Sequence, residues 1–296
     1  VEINTKILAQ DFEYHEANSL QQVFDWMSEY GEKAKVLAGG TDLLVKMKNG
    51  VLHPRHLIFI KKVDSLRFIE YGQVGLAIGA ATVLSRVEKH EAVKRYYSAL
   101  FEAVRSMAAT AIRNMGTVGG NLCNASPAAD TAPALIVYEA TVKLASKHGQ
   151  RVVPVNEFFI GPGKTVLAPD EIMTEINVPS VPANGGSCFM KLGRVSADIA
   201  KINVAVAVER EDRTCLKCRI AFGSVAPTPV RVNALEELLA GKELTGDLVR
   251  TVASQTGDHI QPITDIRSTR DYRIKVSQIM LEEAIKAAWQ RAGGEA

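Results

Sequence analysis

Apolar residues recur along the chain with two different periods, and the switches between them divide it into three parts. Leu20, Val23, Phe24 and Met27 share one face of a predicted helix, which opens at the capping box Ser19/Gln22 and closes at Gly31. Lys35 to Ala38 reads as a short strand running into the twin glycines Gly39 and Gly40, and Thr41 to Lys48 as one or two helical turns closed by Asn49-Gly50. Strands are predicted at Leu57 to Ile60 and Gly75 to Ala80. A helix over Val83 to His90 with Thr82 as its cap follows, and then a longer helix to about Met107.

Regular periodicity then stops. Ala111 to Asp130, AIRNMGTVGGNLCNASPAAD, is polar and rich in small residues, and a loop that long inside a compact unit is expected to carry function. Asp130 stands where it would cap a helix containing Pro133 to Tyr138, before strands at Thr141 to Ser146, Arg151 to Val155 and Glu171 to Val178. PSVPANGGS, Pro179 to Ser187, has the composition of a linker. Beyond it come strands at Ala200 to Glu209 and Leu216 to Val225, a helix over Ala234 to Ala240 behind a second capping box (Asn233/Glu236), and helices at Asp247 to Thr256 and Thr269 to Arg291. The expected class is α+β, divided at 1–57, 58–178 and 179–296.

Composition narrows the function classes. With 47% hydrophobic and 23% charged residues in 296, the chain is an ordinary globular sequence rather than a disordered one. A net charge of +2, with both signs mixed throughout, supplies no field for nucleic acid. The longest apolar runs, Ile202 to Val208 and Ala132 to Tyr138, fall far short of the roughly 20 residues that span a bilayer. VEINTKILAQDF lacks the basic start and apolar stretch of a secretory signal, so a cytoplasmic chain is expected. Cys215 and Cys218 form a CxxC on a predicted strand, where positions three apart point to opposite faces, and no second pair accompanies them. The six histidines, His53 and His56 among them, show no ligand spacing, and no metal site is read from the sequence.

Two glycine segments carry the candidate chemistry. AGGTDLL and GTVGGN are each expected to offer unprotected backbone N–H groups, no Cβ barrier and nearby donors, namely Thr41, Thr117 and Asn121, which are the requirements for holding a diphosphate. Neither is a Walker A loop or a GxGxxG dinucleotide fingerprint. A nucleotide held between two separate loops stays open, and so does a plain tight turn at each.

LAGGTDLLVKMK and IRNMGTVGGNLCNASPAADTAPAL closely resemble the flavin-binding segments of the FAD subunit, or middle domain, of the molybdenum hydroxylases, the family of xanthine dehydrogenase and aerobic carbon monoxide dehydrogenase. The likeness continues through DEIMTEINVP, FMKLGRVSADIAKINVAVAV and RIAFGSVAPTPVR. It implies a two-part FAD-binding domain, a small N-terminal α/β lobe plus a larger α+β lobe, followed by a C-terminal α+β domain of antiparallel strands and helices. The family's first diphosphate loop falls on Val36, Leu37, Ala38, Gly39, Gly40, Thr41, Asp42 and Leu43, and the second on Thr117, Val118, Gly119, Gly120 and Asn121. Asp130 matches the acid that hydrogen-bonds the cofactor. Ala108, Met173 and Lys191 match further flavin-side positions.

Each has a plainer reading from the residues alone: Asp130 as an N-cap, Lys191 as a solvated lysine, Met173 as core, Arg113 as a surface charge. Where relatives often carry a tyrosine, this chain has Phe189, which leaves ring packing but no phenol hydroxyl. The resemblance further implies an electron-transfer subunit that works beside a molybdenum-cofactor subunit and a [2Fe–2S] subunit, passing electrons to NAD⁺ or another acceptor. The chain has no cysteine runs for clusters of its own. No residue is nominated as a general base. A self-sufficient flavin oxidoreductase and a nucleotide-binding scaffold without redox role are the alternatives.

Overall fold

The computed structural model describes Leu8 and residues 10–294. The first lobe is a parallel three-stranded sheet in the order Glu13–Glu16, His56–Phe59, Ala34–Leu37. Parallel neighbours need a crossover, and the helix Leu20–Tyr30 supplies one. Its start is a shifted form of the expected box: Ser19 Oγ accepts from Gln22 N at 3.3 Å, but Gln22 Oε1 accepts from Asn18 N, one residue before the cap, at 2.8 Å. Gly31, at φ +52°, ends it. The strand His56–Phe59 runs through residue 57, so the lobe boundary expected there falls inside the sheet.

The second lobe is an antiparallel sheet in the order Ile69–Gly72, Gly75–Gly79, Ile172–Pro179, Thr141–Ser146, Gly149–Pro154. Helices Leu84–Lys89, Glu91–Tyr96, Ser98–Arg105 and Thr131–Val137 pack with it in one core. Thr82 does not cap the first of these; its hydroxyl donates to Phe68 O at 3.0 Å. The long helix expected to reach Met107 breaks at Tyr97, whose backbone leaves the helical region. That fully buried ring sits edge-on to Tyr138, and its hydroxyl donates to Pro179 O at 3.1 Å. Burial pushes the Tyr97 phenol up to about 12. The expected loop from Ala111 to Asp130 instead holds two short helices, Thr110–Met115 and Val118–Cys123; the low helix propensity of Gly119 and Gly120 conceals the second.

The third part is an antiparallel sheet in the order Gly185–Leu192, Ile202–Glu211, Thr214–Gly223, Val230–Arg231, with helices Asn233–Leu239, Gly246–Ser254 and Arg270–Arg291. INVAVAV explains its position. Ile202, Val204, Val206 and Val208 face the domain's own helices, whereas Ala205 and Ala207 join the core of the second lobe. Alternation on a strand separates two faces, and alanine on one of them lets the helix Thr131–Val137 come close. Expected linker residues 185–187 are already strand, with Ser187 Oγ 2.6 Å from the Tyr138 hydroxyl. The box predicted at Asn233/Glu236 is not one. Val232 is the N-cap, and the Glu236 carboxylate accepts from Ile220 N and Arg231 in the interior. Among the described residues, no helix is long and apolar enough to cross a membrane.

Candidate functional site

A cleft of about 660 Å³ opens between the lobes, within the range of cofactor sites. All the sequence candidates line it except two. Leu37 and Val118 point into the cores beneath, at 8% and 0% exposure.

The twin glycines perform two separate tasks. A Cβ on Gly39 would lie 2.4 Å from Met115 O and 2.7 Å from Gly116 Cα, so this glycine lets the first segment touch the chain leading into the second. Gly40 has φ +72°, and a Cβ there would meet the Leu44 side chain at 2.9 Å. It turns the chain into the helix Leu43–Lys48. The backbone amides of Gly39, Gly40, Thr41, Asp42 and Leu43 have no acceptor among the described residues. A helix start accounts for orphan donors at its first residues, but Gly39 and Gly40 precede it. Consecutive free donors make a concavity for an anion.

The second segment contradicts the expectation of free amides. Val118 N donates to Thr82 O (3.2 Å), Gly119 N to Ala80 O (3.0 Å), and Gly120 N to Thr117 Oγ1 (3.0 Å). A Cβ on Gly119 would stand 2.7 Å from Ala80 Cβ and O. This segment offers the cleft side chains and small size instead. The two segments are tied together by residues the sequence reading passed over. Lys46 Nζ donates to Asn124 Oδ1 at 2.7 Å and Asn124 Nδ2 to Asp42 Oδ1 at 3.0 Å, with all three lining the cleft. Lys46 falls one helical turn beyond Asp42, a spacing that could have pointed to it.

At the other wall, Asp130 and Lys191 form a buried ion pair of 2.7 Å, each side chain 6% exposed. Asn203 Nδ2 donates to the other carboxylate oxygen at 2.9 Å, and Lys191 Nζ also donates to Ser106 O at 3.2 Å. Asp130 makes no side-chain cap to the helix Thr131–Val137, and Lys191 is not solvated. Burial pushes the Asp130 carboxyl up, against the pull of Lys191 and Asn203. Lys191 comes from the strand Gly185–Leu192, which the glycine-rich composition hid.

Ala108 holds φ +46°, a left-handed conformation that costs an L-residue about 1–2 kcal/mol. Arg113 supports that turn. It donates to Met107 O and Ala108 O at 3.0 and 2.9 Å and pairs with Glu88, so it is not a solvated surface charge. Met173 serves both readings, buried at 3% and lining the cleft. Phe189 packs in the core of the second lobe. Cys123 also lines the cleft, and burial pushes its thiol up to about 12, so it is neutral there at physiological pH.

Cys215 and Cys218 correct the strand argument. Glu209 pairs with Lys217 and Arg210 with Cys215, so Leu216 is the extra residue of a β-bulge. The bulge turns both thiols to one buried face, in the core of the third part. Among the described residues no histidine or carboxylate completes a ligand set around them.

Comparison with known proteins matches residues 10–181 to the "FAD binding domain in molybdopterin dehydrogenase" and residues 187–288 to the "CO dehydrogenase flavoprotein C-terminal domain". The chain is 34% identical over 280 residues to the carbon monoxide dehydrogenase medium chain of Hydrogenophaga pseudoflava, covering 95% of this chain and 98% of that one. It is 32% identical over 285 residues to the xanthine dehydrogenase FAD-binding subunit of Escherichia coli O157:H7, covering 95% and 97%. A solved carbon monoxide dehydrogenase from H. pseudoflava superposes with a TM-score of 0.93 at 35% identity, covering 96% and 99%. Quinoline 2-oxidoreductase from Pseudomonas putida 86 does so at 0.89 and 26%, covering 95% and 98%.

Proposed function

Because the chain belongs to the FAD-binding subunits of the molybdenum hydroxylase family, we propose that it takes electrons from [2Fe–2S] centres of a partner subunit and delivers them to NAD⁺ or another acceptor. FAD, when bound, supplies a carrier that accepts electrons singly and releases them in pairs. A molybdenum-cofactor subunit oxidises the substrate in this scheme, and the chain itself performs binding, positioning and tuning.

The observation that carries the assignment of residues is the run of acceptor-free amides from Gly39 to Leu43 on the wall of the cleft. In this reading those amides and Thr41 hold the diphosphate, with Lys46 as the nearby cation. Thr117, Gly119, Gly120 and Asn121 form the opposite jaw. Ala108 turns the chain along one side, Met173 supplies an apolar wall, and the Asp130–Lys191 pair presents fixed opposite charges where a ring's polar edge needs donors and acceptors. None of these groups has to gain or lose a proton for electrons to pass.

The test is copurification of the native complex followed by Mo and Fe analysis and anaerobic mixing. Bleaching of the flavin absorbance by substrate only when the molybdenum and iron–sulfur subunits are present, and its return on adding NAD⁺, supports the scheme. Bleaching of the isolated chain by a small substrate would replace it with the self-sufficient oxidoreductase.

A further inference from the structure

At the opposite end of the parallel sheet from the twin glycines, Glu13, His15 and His56 converge. Glu13 and His15 are two apart on one strand and so share a face, and Glu13 is in register with His56 on the neighbouring strand. The helix Leu20–Tyr30 covers that face with its aromatics. Tyr30 stacks on His56 at 3.9 Å between centroids with 9° between planes and on His15 at 4.9 Å, while Trp26 lies against His15 at 5.3 Å. Both imidazoles are thereby oriented before any ligand arrives. Their nitrogens face each other and a carboxylate: His15 Nε2 to His56 Nδ1 is 3.1 Å, His56 Nδ1 to Glu13 Oε2 is 3.4 Å, and His15 Nε2 to Glu13 Oε2 is 3.7 Å.

Those three separations describe the face of a coordination tetrahedron. An ion with bonds of about 2.0–2.1 Å to tetrahedral ligands holds their donor atoms about 3.3 Å apart, close to the average of the three contacts. We propose that Glu13, His15 and His56 bind one divalent transition-metal ion of the zinc class, with a solvent molecule in the fourth position. Two imidazoles and one carboxylate are a donor set suited to zinc. Glu13, whose side chain is 71% exposed, leaves the open position towards water. The ion's role is structural. It fastens the four-residue edge strand Glu13–Glu16 to the central strand, at the sheet end remote from the cofactor cleft.

Zinc titrated calorimetrically into tag-free, FAD-loaded chain, after stripping with chelator, tests this. The expected result is one saturable equivalent, weakened about a hundredfold or more in His15→Gln and His56→Gln, with flavin absorbance unchanged as the sign of an intact fold. Glu13→Gln, at an exposed position, keeps the test decisive if a histidine variant loses its flavin; it should weaken zinc without touching FAD. No saturable binding at micromolar zinc, or equal binding in wild type and in Glu13→Gln with either histidine variant, would show a metal-free imidazole pair and overturn the proposal.

Discussion

The two glycine segments look alike in sequence and are built for different work. AGGTDLL leaves five successive amides without acceptors, whereas TVGG directs its amides into Thr82, Ala80 and Thr117. In the first, glycine permits a left-handed turn and the touch of Gly39 on Met115; in the second, it lets a helix start lie against Ala80. Doubled glycine signals close approach, and only the hydrogen-bond partners say whether the neighbour is the fold or a ligand.

The sharpest way to break this contrast is Gly119→Val. Its Cβ has no room beside Ala80, so unfolding free energy should drop by about 3 kcal/mol, measured by denaturant titration of unloaded chain. An unloaded chain as stable as wild type would end the packing role of the second segment. Gly40→Ala comes next. The positive φ costs about 1–2 kcal/mol of stability, and FAD occupancy measured by absorbance should fall as well. The strain means that lost flavin in any Gly40 variant does not by itself report a phosphate contact.

Lys46→Met tests binding and the tie between the segments together. FAD affinity should weaken about tenfold, or about 1.4 kcal/mol, while unloaded stability should fall by about 1 kcal/mol through the lost bond to Asn124; unchanged FAD titrations would remove Lys46 from the site. Thr117→Ala has the smallest expected effect, about 1 kcal/mol of stability from a lost cap, and Thr117→Ser should restore it.

Much of the candidate site was legible because its backbone requirements are written in residue type. Glycines mark close approach, and the family spacing marks the two segments. What escaped the sequence depends on partners far along the chain. Asp130 reads as a cap until Lys191, 61 residues on, and Asn203 reach it. Arg113 reads as surface until the carbonyls of its own turn claim it. One inserted residue, Leu216, reverses the faces of a CxxC, and no period-two rule foresees a bulge. The strand bearing Lys191 was masked by Gly185 and Gly186, the second of which lies against the backbone of the last helix, where a Cβ would be 2.1 Å from Ala288 O.

The alanine face of Ile202–Glu211 has a consequence for modularity. Asn203 lies on that face together with Ala205 and Ala207, so the contact between sheet and helix also fixes the distance from Asn203 to Asp130. Cutting the chain at the linker would strip the second lobe of an apolar cover and leave a buried carboxylate without its lysine. The C-terminal domain is thus a wall of the cleft rather than an appendage, and a fragment ending near residue 184 should not behave as a free-standing flavin domain.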